Sequence, residues 1–182
     1  MRLFGDQGFK GTSVIQIEAA AGLTPGAGGI YHHFRSKEAL LLAGIERHLD
    51  RLDALRDIRR LLTGLGDLRV ELTVTARYAL AELDREGELL SILVGEARTR
   101  PELVQDASRR MLSATYDEFS AWLTERTPLT ADRARAVATV GLGALMSSRL
   151  LRNLIGAAPV GVDDETFVTT WVDMMIHTIE SA

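Results

Sequence analysis

The sequence predicts an all-α fold, and three observations support that prediction. Apolar residues recur at intervals of three and four along most of the 182 residues. The period-two alternation of Val, Ile and Thr that predicts β-strands is nearly absent. Each of the four prolines stands where a helix begins or a loop runs. Together these features predict nine helices.

The first two predicted helices are short. The first covers residues 2–7, and Gly8 ends it in a left-handed conformation. The second begins after Thr12 or Ser13, either of which is a good N-cap. Gly22 breaks the second helix, since glycine tolerates the backbone angles of a tight turn.

The third helix is expected from Thr24, as N-cap, to about Phe34, with Pro25 as its first residue. Ser36 caps a long fourth helix whose apolar stripe continues towards Leu62. A helix of that extent is about 35–40 Å long. Its predicted inward-facing residues are Leu41, Ile45, Leu49, Leu52 and Leu55.

Five further helices follow. Gly64 and Gly66 separate the fourth helix from the fifth, Thr130 caps the eighth, and residues 156–163 form the longest irregular stretch. The five helices are expected at residues 67–86, 88–98, 101–126, 131–155 and 164–179.

Composition narrows the class of protein. Hydrophobic residues make up 46% and charged residues 25%, as in ordinary globular proteins. Cysteine is absent, which excludes disulfides and thiolate metal sites. No apolar run reaches the roughly 20 residues of a transmembrane helix, and the N-terminus lacks the apolar stretch of a signal peptide. We therefore expect a cytoplasmic protein without membrane contact.

The net charge of −4 argues weakly against a nucleic-acid partner, but the charge is uneven. Residues 1–50 contain equal numbers of basic and acidic residues, so residues 51–182 account for the whole excess of acid. DNA binding requires a local basic face rather than a basic chain. The neutral first segment is therefore compatible with DNA binding.

Two short helices joined by a tight turn, with a third helix before them, are typical of a helix-turn-helix. Its recognition helix must be narrow to enter a major groove about 12 Å wide. Small residues supply such an edge at positions 26–29, and hydrogen-bond donors follow it: Tyr31, His32, Arg35 and Lys37.

Three motifs occur in order over about 40 positions: Gly8-Phe9-Lys10-Gly11-Thr12-Ser13-Val14, Ala19-Ala20-Ala21-Gly22-Leu23-Thr24 and Ile30-Tyr31-His32-His33-Phe34-Arg35-Ser36-Lys37-Glu38-Ala39-Leu40. This segment resembles the DNA-binding domain of the tetracycline-repressor (TetR) family. The resemblance implies a helix-turn-helix domain at residues 1–40 and a ligand-binding and dimerisation domain at residues 41–182. It further implies a homodimeric repressor that binds palindromic operator DNA and is released by a small-molecule effector.

The resemblance also implies roles for individual residues. Phosphate contacts are expected from Thr12, Ser13, Tyr31, His32 and Lys37. The edge that meets bases is expected to consist of Thr24, Pro25, Gly26, Ala27 and Gly28. The core of the small domain is expected to contain Phe4, Phe9, Val14, Ile17, Ile30, Phe34 and Leu40.

Two departures from the family pattern stand out. Six residues separate Thr24 from Tyr31, two more than usual, and the three glycines among these six disfavour a helix by about 1 kcal/mol each. We expect the edge to be mobile without DNA. The first helix is also short, from which we expect a trimmed or mis-assigned start, or a preceding segment that the sequence omits. A chain that is truly truncated here should bind DNA more weakly than a longer one.

The C-terminal part contains residues that could line a ligand cavity. For its aromatic and methionine residues, ordinary core packing is an equal alternative, and for its charged residues a surface salt bridge is the stronger one. The candidates are Arg77, Tyr78, Glu96, Met111, Phe119, Trp122, Met146 and Arg149.

The last two predicted helices carry many small and apolar residues, which predicts that they pair with their symmetry mates in a four-helix bundle. The expected interface residues are Gly141, Leu145, Ser148, Val168, Trp171, Val172, Met175 and Ile179.

Other functions find less support. No spacing indicates a catalytic set, a metal site or a cofactor site, so we expect neither an enzyme nor a cofactor. The alternative function is a helical small-molecule-binding protein in which DNA binding is weakened or lost.

Overall fold

The computed structural model describes residues 1–60, 67–155 and 161–181, with the side chains of all but 51–60, 103, 110, 111 and 153–155. Across these ranges the chain forms eight α-helices, one 3₁₀-helix and no strand, which confirms the all-α prediction. The helices are α1 (Arg2–Gly11), α2 (Val14–Ala20), α3 (Lys37–Arg60), α4 (Leu68–Arg85), α5 (Gly87–Glu96), α6 (Pro101–Arg126), α7 (Ala131–Ile155) and α8 (Asp164–Glu180). None of the described helices is both long and apolar enough to cross a membrane.

Several predicted helix starts are confirmed by side-chain caps. The hydroxyl of Ser36 accepts a hydrogen bond from the N–H of Ala39, and the carboxylate of Asp67 accepts one from Val70. Thr130 caps α7 in the same way, at 3.4 Å. Such caps satisfy backbone donors that a helix leaves unpaired at its first turn. Leu62, Gly64, Gly66 and residues 156–160 lie outside the described residues, as do the side chains of Leu52 and Leu55.

The first of two compact units comprises Met1–Ala54 and Glu88–Arg110. In this unit α5 and the first turns of α6 therefore fold together with the N-terminal helices. Gly5 of α1 lies against α5, where a Cβ would be in ordinary van der Waals contact with the carbonyl oxygen of Glu88 at 3.4 Å. The apolar stripe of α3 is buried as predicted, with Leu41, Ile45 and Leu49 at most 2% exposed.

The second unit comprises Leu55–Gly87 and Met111–Ala182. Its core is formed by buried faces of α4, α6, α7 and α8. The ring of Phe119 stacks on those of Trp122 and Trp171, with centroids 5.5 and 6.4 Å apart. The indole N–H of Trp171 donates to the carbonyl of Gly141 at 2.8 Å, which satisfies the polar atom of this buried side chain.

The predicted third helix is wrong. Between α2 and α3 the chain forms turns and then a single 3₁₀-helix, Gly29–His32. Gly22, Gly26 and Gly28 have φ between 72° and 80°, outside the helical region. Thr24 and Pro25 are good helix-starting residues, but the glycines after them favour turns over helix.

Candidate nucleic-acid interface

The turn before α2, residues 8–13, is held by buried polar groups, and we call it the anchored turn. Gly8 kinks α1 there with φ 70° and ψ 172°, so φ is positive as predicted but ψ is extended. Thr12 is fully buried, and its hydroxyl donates to the carbonyls of Leu3 and Gly8 at 2.9 and 2.8 Å. Thr12 therefore has a structural role, and its burial argues against the predicted phosphate contact.

Two cations approach the ring of Phe9 in the anchored turn. The ammonium of Lys37 lies 4.2 Å from the ring centroid and the guanidinium of Arg100 lies 4.1 Å from it. Lys37 also donates to the carbonyls of Phe9 and Thr12, at 2.7 and 2.8 Å. The predicted phosphate ligand Lys37 is thus already bound to the protein, which is a finding that no local sequence pattern indicates.

Glu96, at the end of α5, connects the anchored turn to distant sequence. Its Oε1 accepts the N–H of Phe9 at 2.8 Å, and its Oε2 accepts the hydroxyl of Thr99 at 3.1 Å. Arg100 in turn forms an ion pair with Glu38 of α3 at 2.9 Å. Glu96 was a candidate ligand contact, but in the structure it is a buried anchor of the first unit.

Ser13, rather than Thr12, is the N-cap of α2. Its hydroxyl accepts the N–H of Gln16 at 3.2 Å, and the Gln16 side chain accepts the N–H of Ser13 at 2.7 Å. This reciprocal capping box satisfies two otherwise unpaired donors. Ser13 is exposed, so it remains a candidate for phosphate contact.

The segment after α2, residues 22–28, is held by a single carboxylate, and we call it the glycine loop. Glu18 of α2 is 0% exposed. Its Oε2 accepts the N–H of Gly26 at 2.7 Å and its Oε1 accepts that of Ile30 at 3.4 Å. A buried carboxylate needs such donors, and here they fix the path of the loop. The sequence analysis missed Glu18, although an acid amid the alanines of α2 is the signal that marks it.

The remaining predicted DNA contacts lie on or near the surface of the first unit. Thr24, Pro25, Gly26 and Ala27 are exposed, and Gly28 is half-buried. Tyr31 in the 3₁₀-helix is 53% exposed, and His32, His33 and Arg35 are exposed beside it in sequence. Contact of these residues with DNA remains a prediction.

The predicted ligand residues that the structure describes have different surroundings. Arg77 makes an exposed ion pair with Glu165 at 2.6 Å, as its alternative interpretation stated. Phe119 is buried in the aromatic stack of the second unit, with Trp122 half-buried beside it. Tyr78 and Met146 are half-buried in the same unit, and the side chain of Met111 lies outside the described residues.

Arg149 is 2% exposed and already neutralised. It forms ion pairs with Asp84 and Asp164 at 2.8 and 2.6 Å. Burial opposes its charge, but the hydrogen bond that Arg149 donates to Asp164 and the attraction of both carboxylates outweigh burial and raise the pKa of Arg149. The same hydrogen bond lowers the pKa of Asp164. Arg149 of α7 therefore connects to α4 and α8 through ion pairs, and its charge is already balanced without a ligand.

Most of the predicted dimer residues are buried within their own chain, and their contact with a second chain stays a prediction. Six of the eight lie in the core of their own chain and are at most 5% exposed: Leu145, Val168, Trp171, Val172, Met175 and Ile179. Of the other two, Gly141 is buried and Ser148 is half-buried. The pattern identified the apolar stripes of α7 and α8 but not the direction they face. The outward surface instead exposes Val140 and Met174, at 71% and 63%.

Residues 1–43 match the family model described as bacterial regulatory proteins of the tetR family. The HTH-type transcriptional activator FasR of Mycolicibacterium smegmatis is 32% identical over 148 residues, which are 79% of this chain and 63% of FasR. The chain thus spans less than two thirds of the length of this curated relative.

Solved structures share the fold. A transcriptional regulator from Rhodococcus sp. Rha1 superimposes with a TM-score of 0.69 at 23% identity, over 98% of this chain and 90% of that one. AibR, in a crystal structure with isovaleryl coenzyme A and operator DNA, superimposes with a TM-score of 0.64 at 22% identity, over 95% and 91% of the two chains. The matched proteins are transcriptional regulators and not enzymes.

Proposed function

We propose that this chain, whose residues 1–43 match the tetR family model, is a cytoplasmic repressor that binds palindromic operator DNA as a homodimer. A small-molecule effector releases it. The observation that carries this proposal is the surface around α2: a capped helix, a glycine loop held by buried Glu18, and an exposed Tyr31 within the matched segment.

DNA binding is the first part of the proposal to test. Duplexes enriched from a random library by the full chain are labelled, and their affinity is measured by fluorescence anisotropy at several salt concentrations. Binding should weaken steeply with salt, because binding releases cations from the phosphates and this release is less favourable at high salt. Tyr31→Phe should lower affinity at least about tenfold, since a hydrogen bond to a charged group is worth roughly 1.5–3 kcal/mol. Tyr116→Phe, in the second unit, is the matched control.

Salt-independent binding would contradict the proposal. Failure to enrich any duplex, with the chain folded, would favour the alternative of a small-molecule-binding protein without DNA binding. A promoter fusion then gives the sign of regulation, and activation instead of repression would overturn the repressor role while leaving DNA binding intact.

The homodimer is proposed to form through the outward surface of α7 and α8. A groove between these helices is lined by Val140, Ala144, Phe167 and Met174. Exposed apolar residues clustered on one face are typical of an interface. Met174→Glu should convert a dimer into a monomer in light scattering, whereas Val94→Glu, at an exposed valine of α5, should not. A monomeric parent chain at micromolar concentration would contradict the dimer.

The effector is proposed to act through the end of α5 and the residues that join it to α6. Glu96 and Arg100 contact the anchored turn in the first unit, so a shift of these residues would change the position of α1 and α2. An effector must bind the released state more tightly than the DNA-bound state, or no shift occurs. Small-molecule libraries are therefore screened for loss of the anisotropy signal with the protein still folded.

A further inference from the structure

The exposed side chains of the glycine loop are mainly apolar, and the hydroxyl of Thr24 is their one polar group. The loop's side chains are those of Leu23, Thr24, Pro25 and Ala27, which are all exposed. None of them is a guanidinium, an ammonium or an amide. Guanine is recognised in the major groove chiefly by Arg or Lys, and adenine by Asn or Gln. The loop contains neither Arg or Lys nor Asn or Gln.

Most backbone N–H groups of the loop donate hydrogen bonds within the protein. The N–H groups of Gly22 and Leu23 donate to carbonyls of α2, and that of Gly26 donates to Glu18. The N–H of Ala27 donates to the carbonyl of Thr24, and Pro25 has no N–H. These bonds leave the side chains, with one hydroxyl among them, as the principal groups for contact with a base.

The shape of the loop is fixed enough to present those carbons. Glu18 holds it from beneath through a buried carboxylate, as described above. Leu23 lies over Gly29, where a Cβ would be 3.5 Å from Cδ1 of Leu23. Leu23 nevertheless keeps 40% of its surface exposed. The loop is thus an apolar edge with a defined backbone.

We propose that the glycine loop recognises thymine through its C5-methyl group, with Thr24 and Ala27 supplying the contacting methyls. The thymine methyl is the apolar group that the major groove displays, and it pairs with Ala and with the methyl of Thr. This inference rests on the proposed function and specifies the chemistry of the bases that the loop prefers. Operator half-sites should accordingly carry thymine where the loop contacts them.

The test uses the full chain and the duplex that it enriches from a random library. Each thymine is replaced in turn by deoxyuracil, which removes only the methyl, and each guanine by 7-deazaguanine, which removes the N7 acceptor. At least one deoxyuracil in each half-site should weaken binding about fourfold, the effect of one lost apolar group. Deazaguanine substitution should have less effect at the positions next to it.

Thr24→Ser and Ala27→Gly sharpen the test, since each removes one methyl from the loop. On the duplex with deoxyuracil at the sensitive position, at least one variant should bind as the parent does, because the partner methyl is already absent. On the thymine duplex the same variant should bind about fourfold more weakly.

Three outcomes would overturn the inference. Deoxyuracil could leave affinity unchanged at every position, or deazaguanine could cause the dominant loss of affinity. Either result, with binding still dependent on salt, would refute thymine recognition but leave the proposed function standing. Failure to bind any duplex would refute the proposed function, and thymine recognition with it.

Discussion

The two segments that flank α2 are built in opposite ways. The anchored turn is tied by Glu96, Lys37 and Arg100, whereas the glycine loop depends on Glu18 of the adjacent helix. Phe9 and Glu96 are 87 positions apart, but Glu18 and Gly26 are only 8 apart. The anchored turn is therefore able to respond to distant helices, while the glycine loop keeps its shape from local contacts.

The largest effect is expected from Glu18→Ala, which removes the acceptor of the glycine loop. The free energy of unfolding should fall by about 2–3 kcal/mol, because two backbone donors lose a charged partner. DNA affinity should fall at least tenfold. Urea denaturation followed by circular dichroism, together with anisotropy, measures both. Glu18→Gln keeps one carbonyl oxygen and should lie between, so parent-like values for both variants would show that the loop does not depend on this side chain.

Glu96→Ala removes the carboxylate that binds the anchored turn at Phe9. We expect a loss of about 1.5–2 kcal/mol, since the N–H of Phe9 loses its charged acceptor. Hydrogen exchange at the Phe9 amide should accelerate, while exchange at the Gly26 amide should not. Thr99→Val is the matched control, because it removes the other hydrogen bond of Glu96 and leaves Phe9 bound. Equal acceleration at both amides would erase the distinction between the two segments.

Lys37→Met separates a structural lysine from a phosphate ligand. Its hydrogen bonds and ring contact predict a loss of stability of about 1–2 kcal/mol. The dependence of DNA affinity on salt should keep its slope, whereas loss of a phosphate contact lowers the slope by about 0.9. Arg35→Met, at an exposed cation, is the comparison. A reduced slope for Lys37→Met would restore this residue as a phosphate ligand.

The smallest effect is expected from Ser13→Ala, which removes the N-cap of α2. Stability should fall by about 1 kcal/mol, as is usual for such caps. Ser36→Ala removes a similar cap from α3 and should cost about the same. If Ser13 also contacts phosphate, its variant will lose more DNA affinity than the Ser36 variant in anisotropy. Equal losses would limit Ser13 to capping.

Local rules predicted the parts of the fold that local interactions determine. The caps at Ser36, Asp67 and Thr130 and the buried stripe of α3 follow from residue type and spacing. The predicted helix at residues 24–34 failed because glycines with positive φ, and a carboxylate from the preceding helix, determine that backbone. Propensity at Thr24 and Pro25 does not contain this information.

Contacts between distant residues were the part of the site that the sequence could not supply. Nothing near Lys37 indicates that its ammonium binds the carbonyls of Phe9 and Thr12. Periodicity likewise located the apolar stripes of α7 and α8, but a helix apolar over half its circumference does not specify which side meets its own chain. In the structure the side of α8 with Trp171 packs against its own chain, whereas the side of α7 with Val140 is exposed.

The aromatic stack around Phe119 gives the molecule an optical property. Both tryptophans of the chain, Trp122 and Trp171, belong to the second unit and share that stack. Indole fluorescence consequently follows the second unit alone, and the first unit contributes Tyr31 in its place. Emission spectra recorded during titration with DNA or a small molecule would distinguish a disturbance of the second unit from one confined to the surface around α2, without any label.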